Sequence, residues 1–237
     1  MNDFWEHQVE PGYYDKILTD GLIKKKGIQS NWHNLTFLKI SKFISPEKNH
    51  LDFACGPGTF IGKYLCSTSI GVDISKLQID YASNKYGNIG KFYTNDNFDM
   101  DNYDEEFDVV TVIGLLEFIN EEQTVKLLNR LNSVTKPGGR LYFTTPNYNG
   151  LMFLLEKIVN LTGGINYQNQ HISRYSKAEV TRLFYKTQFT DIKVKKIINI
   201  GVSFSIFGHK LGRIIEEAIE KVFNNSLGFI LLIEVKK

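Results

Sequence analysis

The sequence predicts an α/β fold, a doubly wound, Rossmann-like seven-stranded sheet that is mostly parallel, with an antiparallel last strand and helices on both faces. Three observations carry this prediction. Short apolar runs alternate with helical patterns from His50 to Thr145. A glycine turn, Cys55-Gly56-Pro57-Gly58, follows the first run directly. An acid, Asp73, ends the second run. Open sheets of this kind bind ligands outside the carboxyl ends of their strands, which places the turn and the acid on one functional edge.

Taken in order, the first thirty residues read as irregular but aromatic, with Phe4, Trp5, Tyr13 and Tyr14. A helix is expected from Ser30 to about Phe43, with Leu35, Leu38 and Ile40 among its buried positions, and Pro46 stops it. HLDFAC is the first strand, followed by the glycines and a short helix over Phe60–Cys66. SIGVD is the second strand, and Ser75 with Gln78 forms a capping-box start for a helix to about Tyr86. GKFYT makes a short third strand, and the continuous apolar run FDVVTVIG suits a buried parallel fourth. Asn120 with Gln123 opens a helix whose Val125, Leu128, Leu131 and Val134 recur at helical spacing. Lys136-Pro137-Gly138-Gly139 ends it and RLYFTT follows as a strand. Ser176 with Glu179 caps a helix to about Thr187, a strand runs near Asp191–Ile197, and GFILLIEV closes the sheet.

Two long connections interrupt this alternation. One, over 146–175, contains the helix-like LMFLLEKIV. The other, over 198–227, carries an apolar stripe of Leu211, Ile214, Ile215, Ala218, Ile219, Val222 and Phe223. Each follows the carboxyl end of a parallel strand, so both are expected over the active site.

Composition narrows the function. Apolar residues make up 42% of the 237 residues and charged ones 23%, the balance of a globular domain with a real core. Lys plus Arg number 28 against 26 for Asp plus Glu, and the arginines are only Arg130, Arg140, Arg174, Arg182 and Arg213. A near-neutral, arginine-poor chain is a poor nucleic-acid binder, so no nucleic-acid partner is expected. Cys55 and Cys66 form neither a zinc pattern nor a redox pair, and no acidic metal-binding cluster stands out, so no metal is expected. The opening MNDFWEHQVEP lacks the apolar core of a signal peptide, and no apolar run reaches about 18 residues. A cytoplasmic protein without a membrane span is expected, its apolar insertions leaving room for peripheral membrane contact.

The chemistry begins in LDFACGPGTF. The two glycines let backbone approach a ligand closely, and the amides at the following helix start can meet a carboxylate. Asp52, at the strand end, can accept from loop amides or, through water, from an ammonium group. Asp73 stands where a carboxylate can accept both ribose hydroxyls of an adenosine. A dinucleotide loop needs glycines at its first, third and sixth positions; Gly56 and Gly58 satisfy the first two, but Ile61 occupies the last and Gly62 comes one place late. That mismatch disfavours NAD and a dehydrogenase.

The order of these elements, from about Leu51 to Val194, resembles the class I S-adenosylmethionine-dependent methyltransferase superfamily. The family's acidic-x-Gly-x-Gly-x-Gly motif reads here Asp52-x-Ala54-x-Gly56-x-Gly58, with alanine in place of the first glycine. EEFDVVTVIGLLEFI matches the fourth-strand motif, and TKPGGRLYFTTPN the turn into the fifth strand. HISRYSKAEVTRLFYKTQFTDIKV is similar to the element after the fifth strand in small-molecule O-methyltransferases, including those of ubiquinone biosynthesis. The resemblance implies a residue 1–45 cap segment, a methyltransferase domain over 46–237, and S-adenosyl-L-methionine as cofactor. It assigns cofactor contacts to Asp52, Ala54, Cys55, Gly56, Gly58, Asp73, Ile74 and Gly114, and adenine contacts to Asp96 with Asn97 beside it.

The implied reaction moves a methyl group from a sulfonium to a nucleophile, and an oxygen nucleophile needs a route for its proton. His171, in a polar loop on the active edge, is the first candidate base, with a substrate-holding role equally open. Glu117, after the fourth strand, is the second, its other reading being cofactor contact or N-cap support. Arg174 can hold an anionic group or form a surface ion pair. Trp5, Tyr13, Tyr14 and Trp32 can line an acceptor pocket or simply pack, and Cys55 is expected to be a packed loop residue. The Asn/Asp-Pro-Pro-Tyr motif of nucleobase amino methyltransferases is replaced by Gly114-Leu115-Leu116-Glu117, and no Pro-Cys pair serves cytosine chemistry. O-methylation of a small sugar, lipid-linked or quinone-like acceptor is therefore expected. The alternatives are N- or C-methylation of a small metabolite, or a non-catalytic S-adenosylmethionine-binding partner protein.

Overall fold

The runs of β-branched and aromatic residues assemble into one sheet. The computed structural model describes residues 4–65, 69–148, 152, 170–224 and 226–237. Its strands are β1 (His50–Phe53), β2 (Ser69–Asp73), β3 (Lys91–Thr94), β4 (Phe107–Ile113), β5 (Thr135–Pro146), β6 (Thr190–Ile197) and β7 (Ile230–Lys236), in the order β3-β2-β1-β4-β5-β7-β6. β1 to β5 pair in parallel. β7 lies antiparallel between β5 and β6. The strand order reverses between β1 and β4, so a crevice opens outside their carboxyl ends.

Strand alternation sorts the core onto two faces. Val110, Val112, Leu141, Phe143, Leu231 and Ile233 point to one face, where α5 (Glu121–Val134) and α6 (Lys177–Phe184) cover them. Val109, Tyr142, Ile230 and Leu232 point to the other, beneath α2 (Ile28–Ser41), α3 (Thr59–Tyr64) and α4 (Lys76–Tyr86). Capping boxes at Asn120–Gln123 and Ser176–Glu179 start α5 and α6. Ser75 caps α4, but the Gln78 side chain does not reach back to it. Gln78 Nε2 instead donates to the carbonyls of Val9 and Glu10, and its Oε1 accepts from Gly12 N, pinning the amino-terminal segment onto the sheet domain.

Several expectations need correction. The opening thirty residues are not irregular: Phe4–Gln8 form a π-helical turn and Tyr13–Lys24 form α1. Helix α1 escapes periodicity because its buried positions are Asp15, Leu18 and Gly21. Buried Asp15 is held by the hydroxyls of Tyr81 and Tyr86 and by Lys85. In α2, Leu35 and Ile40 are buried but Leu38 is exposed. The turn at Lys136–Gly139 lies within β5, because Thr135 already pairs with Phe107 before the ladder resumes at Arg140–Val109.

The segment after β6 forms a 3-10 stretch, Ile200–Ile206, and α7 (His209–Phe223). Helix α7 buries Gly212 and Glu216, while Leu211, Ile214 and Val222 of its apolar stripe are exposed. Small residues decide which face turns in. An added Cβ at Gly212 would lie 2.0 Å from Ser205 Oγ, and one at Gly201 would lie 2.3 Å from Glu216 N. LMFLLEKIV, apart from Met152, and Cys66 lie outside the described residues.

Candidate active site

The first turn of the site is shaped by residues forced into the left-handed region. Ala54, Gly56 and Gly58 have φ of 64°, 53° and 70°. The two glycines serve different ends. A Cβ on Gly56 would meet nothing within 4 Å, whereas one on Gly58 would lie 2.7 Å from the Phe92 ring and 2.9 Å from Ala82. Gly56 keeps a surface open to the cavity, and Gly58 permits close packing of the turn on α4 and β3. The Gly56 amide donates to Asp73 Oδ2 at 2.8 Å, and Ser75 N donates to Asp73 Oδ1 at 2.9 Å. Burial raises the pKa of Asp73, while the amides of Ser75, Gly56 and Ile74 oppose that rise.

Asp52 is buried at the end of β1 and accepts from Thr111 Oγ1 at 2.6 Å. Burial pushes its pKa up to about 7, with Thr111 lowering it and Asp73 raising it further. Thr111 spends its proton on Asp52, so His50 Nε2, 2.9 Å away, must be the donor to Thr111 Oγ1. His50 Nδ1 then accepts from Ser69 Oγ at 2.9 Å. This Ser69–His50–Thr111–Asp52 chain crosses β2, β1 and β4 and fixes the carboxylate. Burial holds His50 neutral, lowering its pKa to about 3.

A cavity of about 620 Å³ opens along this edge. Asp52, Ala54, Cys55, Gly56, Asp73, Ile74, Gly114, Glu117 and His171 all line it. Cys55 is a buried free thiol whose pKa burial raises well above its ordinary value, which suits packing and not nucleophilic attack. Gly58 faces the core instead of the cavity. Asp96 and Asn97 are exposed and stand outside the wall, where Asn95 and Met100 take the place expected of them. Trp5, Tyr14 and Trp32 line the cavity and Tyr13 does not. Arg174 also lies outside it, with its guanidinium 5.6 Å from the centre of the Tyr148 ring.

On the far side of Gly114, the loop after β5 docks on the backbone of Glu117. Ile172 N and Ser173 N donate to the Glu117 carbonyl at 2.8 and 3.0 Å, and Ser173 Oγ donates to Ile119 O at 2.7 Å. This brings His171 to the cavity, with Nδ1 hydrogen-bonded to the Tyr148 hydroxyl and its ring 5.2 Å from that of Phe118. The Glu117 carboxyl is buried and accepts from Thr145 Oγ1 at 3.1 Å. Burial pushes its pKa up to about 7, against its own backbone bond and Thr145.

Of the wall supplied by α2, sequence reasoning named only Trp32 and missed the rest. Gln29, Trp32, His33, Thr36 and Phe37 line the cavity. They recur at i, i+3, i+4, i+7 and i+8, a helical face that was overlooked because it is polar and aromatic where a core stripe is aliphatic. Burial lowers the pKa of His33 to about 4. The insertion over 198–227 was expected above the site, yet none of its described residues lines the cavity. β6 is the edge strand, so the insertion leaves the sheet at its margin and packs behind α2.

Comparison with known proteins gives the family. A family model described as a methyltransferase domain matches residues 29–194, well over half of the chain. The chain is a class I S-adenosylmethionine-dependent methyltransferase. A ubiquinone biosynthesis O-methyltransferase of Coxiella burnetii is 30% identical over 112 residues; the match covers 45% of this chain and 47% of that relative. The fold is shared with a magnesium protoporphyrin IX methyltransferase of Synechocystis with bound S-adenosylhomocysteine, at a TM-score of 0.62 and 16% identity over 99% of this chain and 97% of that one. It is shared too with a phosphoethanolamine N-methyltransferase of Haemonchus contortus, at a TM-score of 0.61 and 18% identity over 99% of this chain and 59% of that one.

The cavity of this methyltransferase fits its cofactor, S-adenosyl-L-methionine. Among the described residues, Trp5 Nε1, Thr36 Oγ1, Thr59 Oγ1 and Asn95 Oδ1 are buried in its wall without a protein partner. Buried polar atoms need partners, and a polar ligand supplies them. Asp73 Oδ2 accepts from Gly56 N and Oδ1 from Ser75 N, and a carboxylate's roughly four lone-pair sites leave it acceptor capacity beyond these amides and that of Ile74.

Proposed function

We propose that this methyltransferase methylates an oxygen of a small, largely apolar acceptor, with Asp73 holding the ribose of the cofactor and His171 removing the acceptor's proton. The observation that carries the reading is the pairing of His171 with Tyr148 at the edge of a cavity whose wall includes the rings of Trp5, Tyr14, Trp32, Phe37 and Phe118. Aromatic walls favour a flat, apolar acceptor, and the few polar groups among them set its orientation. S-adenosylmethionine, when bound, supplies a methyl group already made electrophilic by its sulfonium charge. The chain's own work is then alignment, exclusion of water and disposal of one proton.

The Tyr148 hydroxyl and the docked backbone of Ile172 and Ser173 hold the imidazole in place. In this reading the imidazole, at the cavity wall, takes the proton of an acceptor hydroxyl. Glu117 supports the loop through its backbone, and its carboxyl is the second candidate for proton transfer because burial brings its pKa to about 7. The partial match to an O-methyltransferase of ubiquinone biosynthesis supports an oxygen acceptor of quinone-like character. The amino-terminal 1–45 segment acts in this reading as a cap, since Trp5, Tyr14 and Trp32 come from it.

The test is a kinetic comparison of His171→Ala with the wild type on a panel of phenols and amines. A base predicts a fall in kcat of about 10²-fold or more, loss of one limb of the pH profile, and nearly unchanged cofactor affinity. A raised KM with the profile kept would make His171 a substrate-holding residue, and wild-type kinetics would remove it from the site.

A further inference from the structure

We propose that the edge formed by the α1–α2 turn and the segment Phe204–Ile214 is a docking surface for an anionic lipid bilayer. The two pieces are stitched into one surface. Gly27 N donates to Ser205 O at 2.8 Å, His209 N donates to Lys25 O at 2.7 Å, and Ser30 Oγ meets His209 Nε2 at 2.9 Å. Apolar side chains stand out from both pieces. Ile23 is 73% exposed on one side of the junction and Phe207 is 75% exposed on the other. Phe204 and Ile206 in the 3-10 stretch, and Leu211 and Ile214 in α7, are exposed as well. Burying Gly212 and Glu216 is what leaves the apolar stripe of that helix outside.

Charge complementarity selects the occupant. Exposed Lys24, Lys25 and Lys26 lie beside Ile23, and exposed Lys210 and Arg213 lie beside Leu211. The acids nearby are Asp20, 3.5 Å from Lys24, and Glu217, 3.8 Å from Arg213; both pairs are exposed and therefore weak. Apolar side chains that protrude within a basic rim match a surface of acyl chains beneath anionic headgroups. A second copy of the chain meeting this face symmetrically would set lysine against lysine. The geometry also gives the docking a use. Ile28 and Gln29, which directly follow this turn, line the cavity, so its wall is held next to the bilayer. The inference rests on the surface alone and holds for any acceptor.

The test is co-sedimentation of the full chain with extruded vesicles, either phosphatidylcholine alone or phosphatidylcholine mixed with phosphatidylglycerol. The chain is expected on the mixed vesicles, to be released as salt rises, and to stay in solution with the neutral ones. Lys25→Glu with Lys26→Glu should weaken binding more than tenfold, since each basic side chain near an anionic surface contributes about fivefold. Ile23→Ser with Phe207→Ser should weaken it too, and S-adenosylhomocysteine affinity should be unchanged in both variants. Amide exchange on the wild type, needing no variant, should slow over 22–27 and 204–214 when mixed vesicles are added. Failure to sediment, or wild-type binding by both variants, overturns the proposal. So does a wild-type dimer that Phe207→Ser dissociates while vesicles are ignored.

Discussion

Replacing Asp73 with alanine removes an acceptor that serves the fold and, in the proposed function, the ribose of the cofactor. In the protein alone, its oxygens take the amides of Gly56 and Ser75 at 2.8 and 2.9 Å. Hydrogen bonds to a charged group are worth about 1.5–3 kcal/mol each. Gly56 N borders the cavity and can regain water, and the burial that raises the pKa of Asp73 already offsets part of the gain. A net loss of about 2 kcal/mol follows, which lowers Tm by about 4–8 °C in a chain of this size. In the complex, the proposed function adds two bonds to ribose hydroxyls, so their loss, about 3–6 kcal/mol, should lower affinity for S-adenosylhomocysteine by about a hundredfold or more. Asp73→Asn keeps one oxygen acceptor and should fall between alanine and the wild type. Titration calorimetry with S-adenosylhomocysteine, beside a thermal unfolding curve, separates the two effects. A folded Asp73→Ala protein with wild-type affinity would show that Asp73 does not hold the ribose.

The two loop glycines should separate in the same assays: Gly58→Ala should lower Tm sharply by clashing with Phe92, whereas Gly56→Ala should cost about 1 kcal/mol of stability, about 2–4 °C in Tm, and chiefly weaken cofactor binding. Equal effects on Tm would contradict the division of labour. Ala54→Gly should stabilise the protein by about 1 kcal/mol, because alanine there sits at φ 64°; an unchanged or lower Tm would contradict that strain. Glu117 has a folded pKa of about 7, raised by burial, so the folded state holds a proton that the unfolded state gives up. Its contribution is present below the ordinary pKa and is lost as pH rises through about 4.5 to 7, on the order of 3 kcal/mol. Glu117→Gln should flatten the fall in Tm across that window, and an unaltered slope would mean that Glu117 is not the group responsible.

The sheet was legible because buried parallel strands write themselves as apolar runs, and the helices α5 and α6 because their capping boxes and apolar stripes agree. The cavity edge was legible through Asp73 and the spacing of the turn, which the fold brings to one wall. What stayed hidden had another physical basis. Helix α1 buries a carboxylate and a glycine where periodicity looks for aliphatic groups. Helix α7 inverts the rule, because close contacts at Gly201 and Gly212 turn its small and charged side inward. Spacing pointed to the region after β3, where Asn95 and not Asp96 lines the cavity. The α2 wall was hidden because residues that meet a ligand need not look like core.

The measurement that bears most directly on the account is product analysis after incubation with S-adenosylmethionine carrying a ¹³C-labelled methyl group and a panel of phenols and amines. The methyl carbon shift separates an oxygen-bound from a nitrogen-bound product, and S-adenosylhomocysteine reports turnover. The account predicts equimolar S-adenosylhomocysteine and an O-methylated aromatic acceptor. A product methylated on nitrogen, or cofactor binding with no turnover on any acceptor, would contradict it.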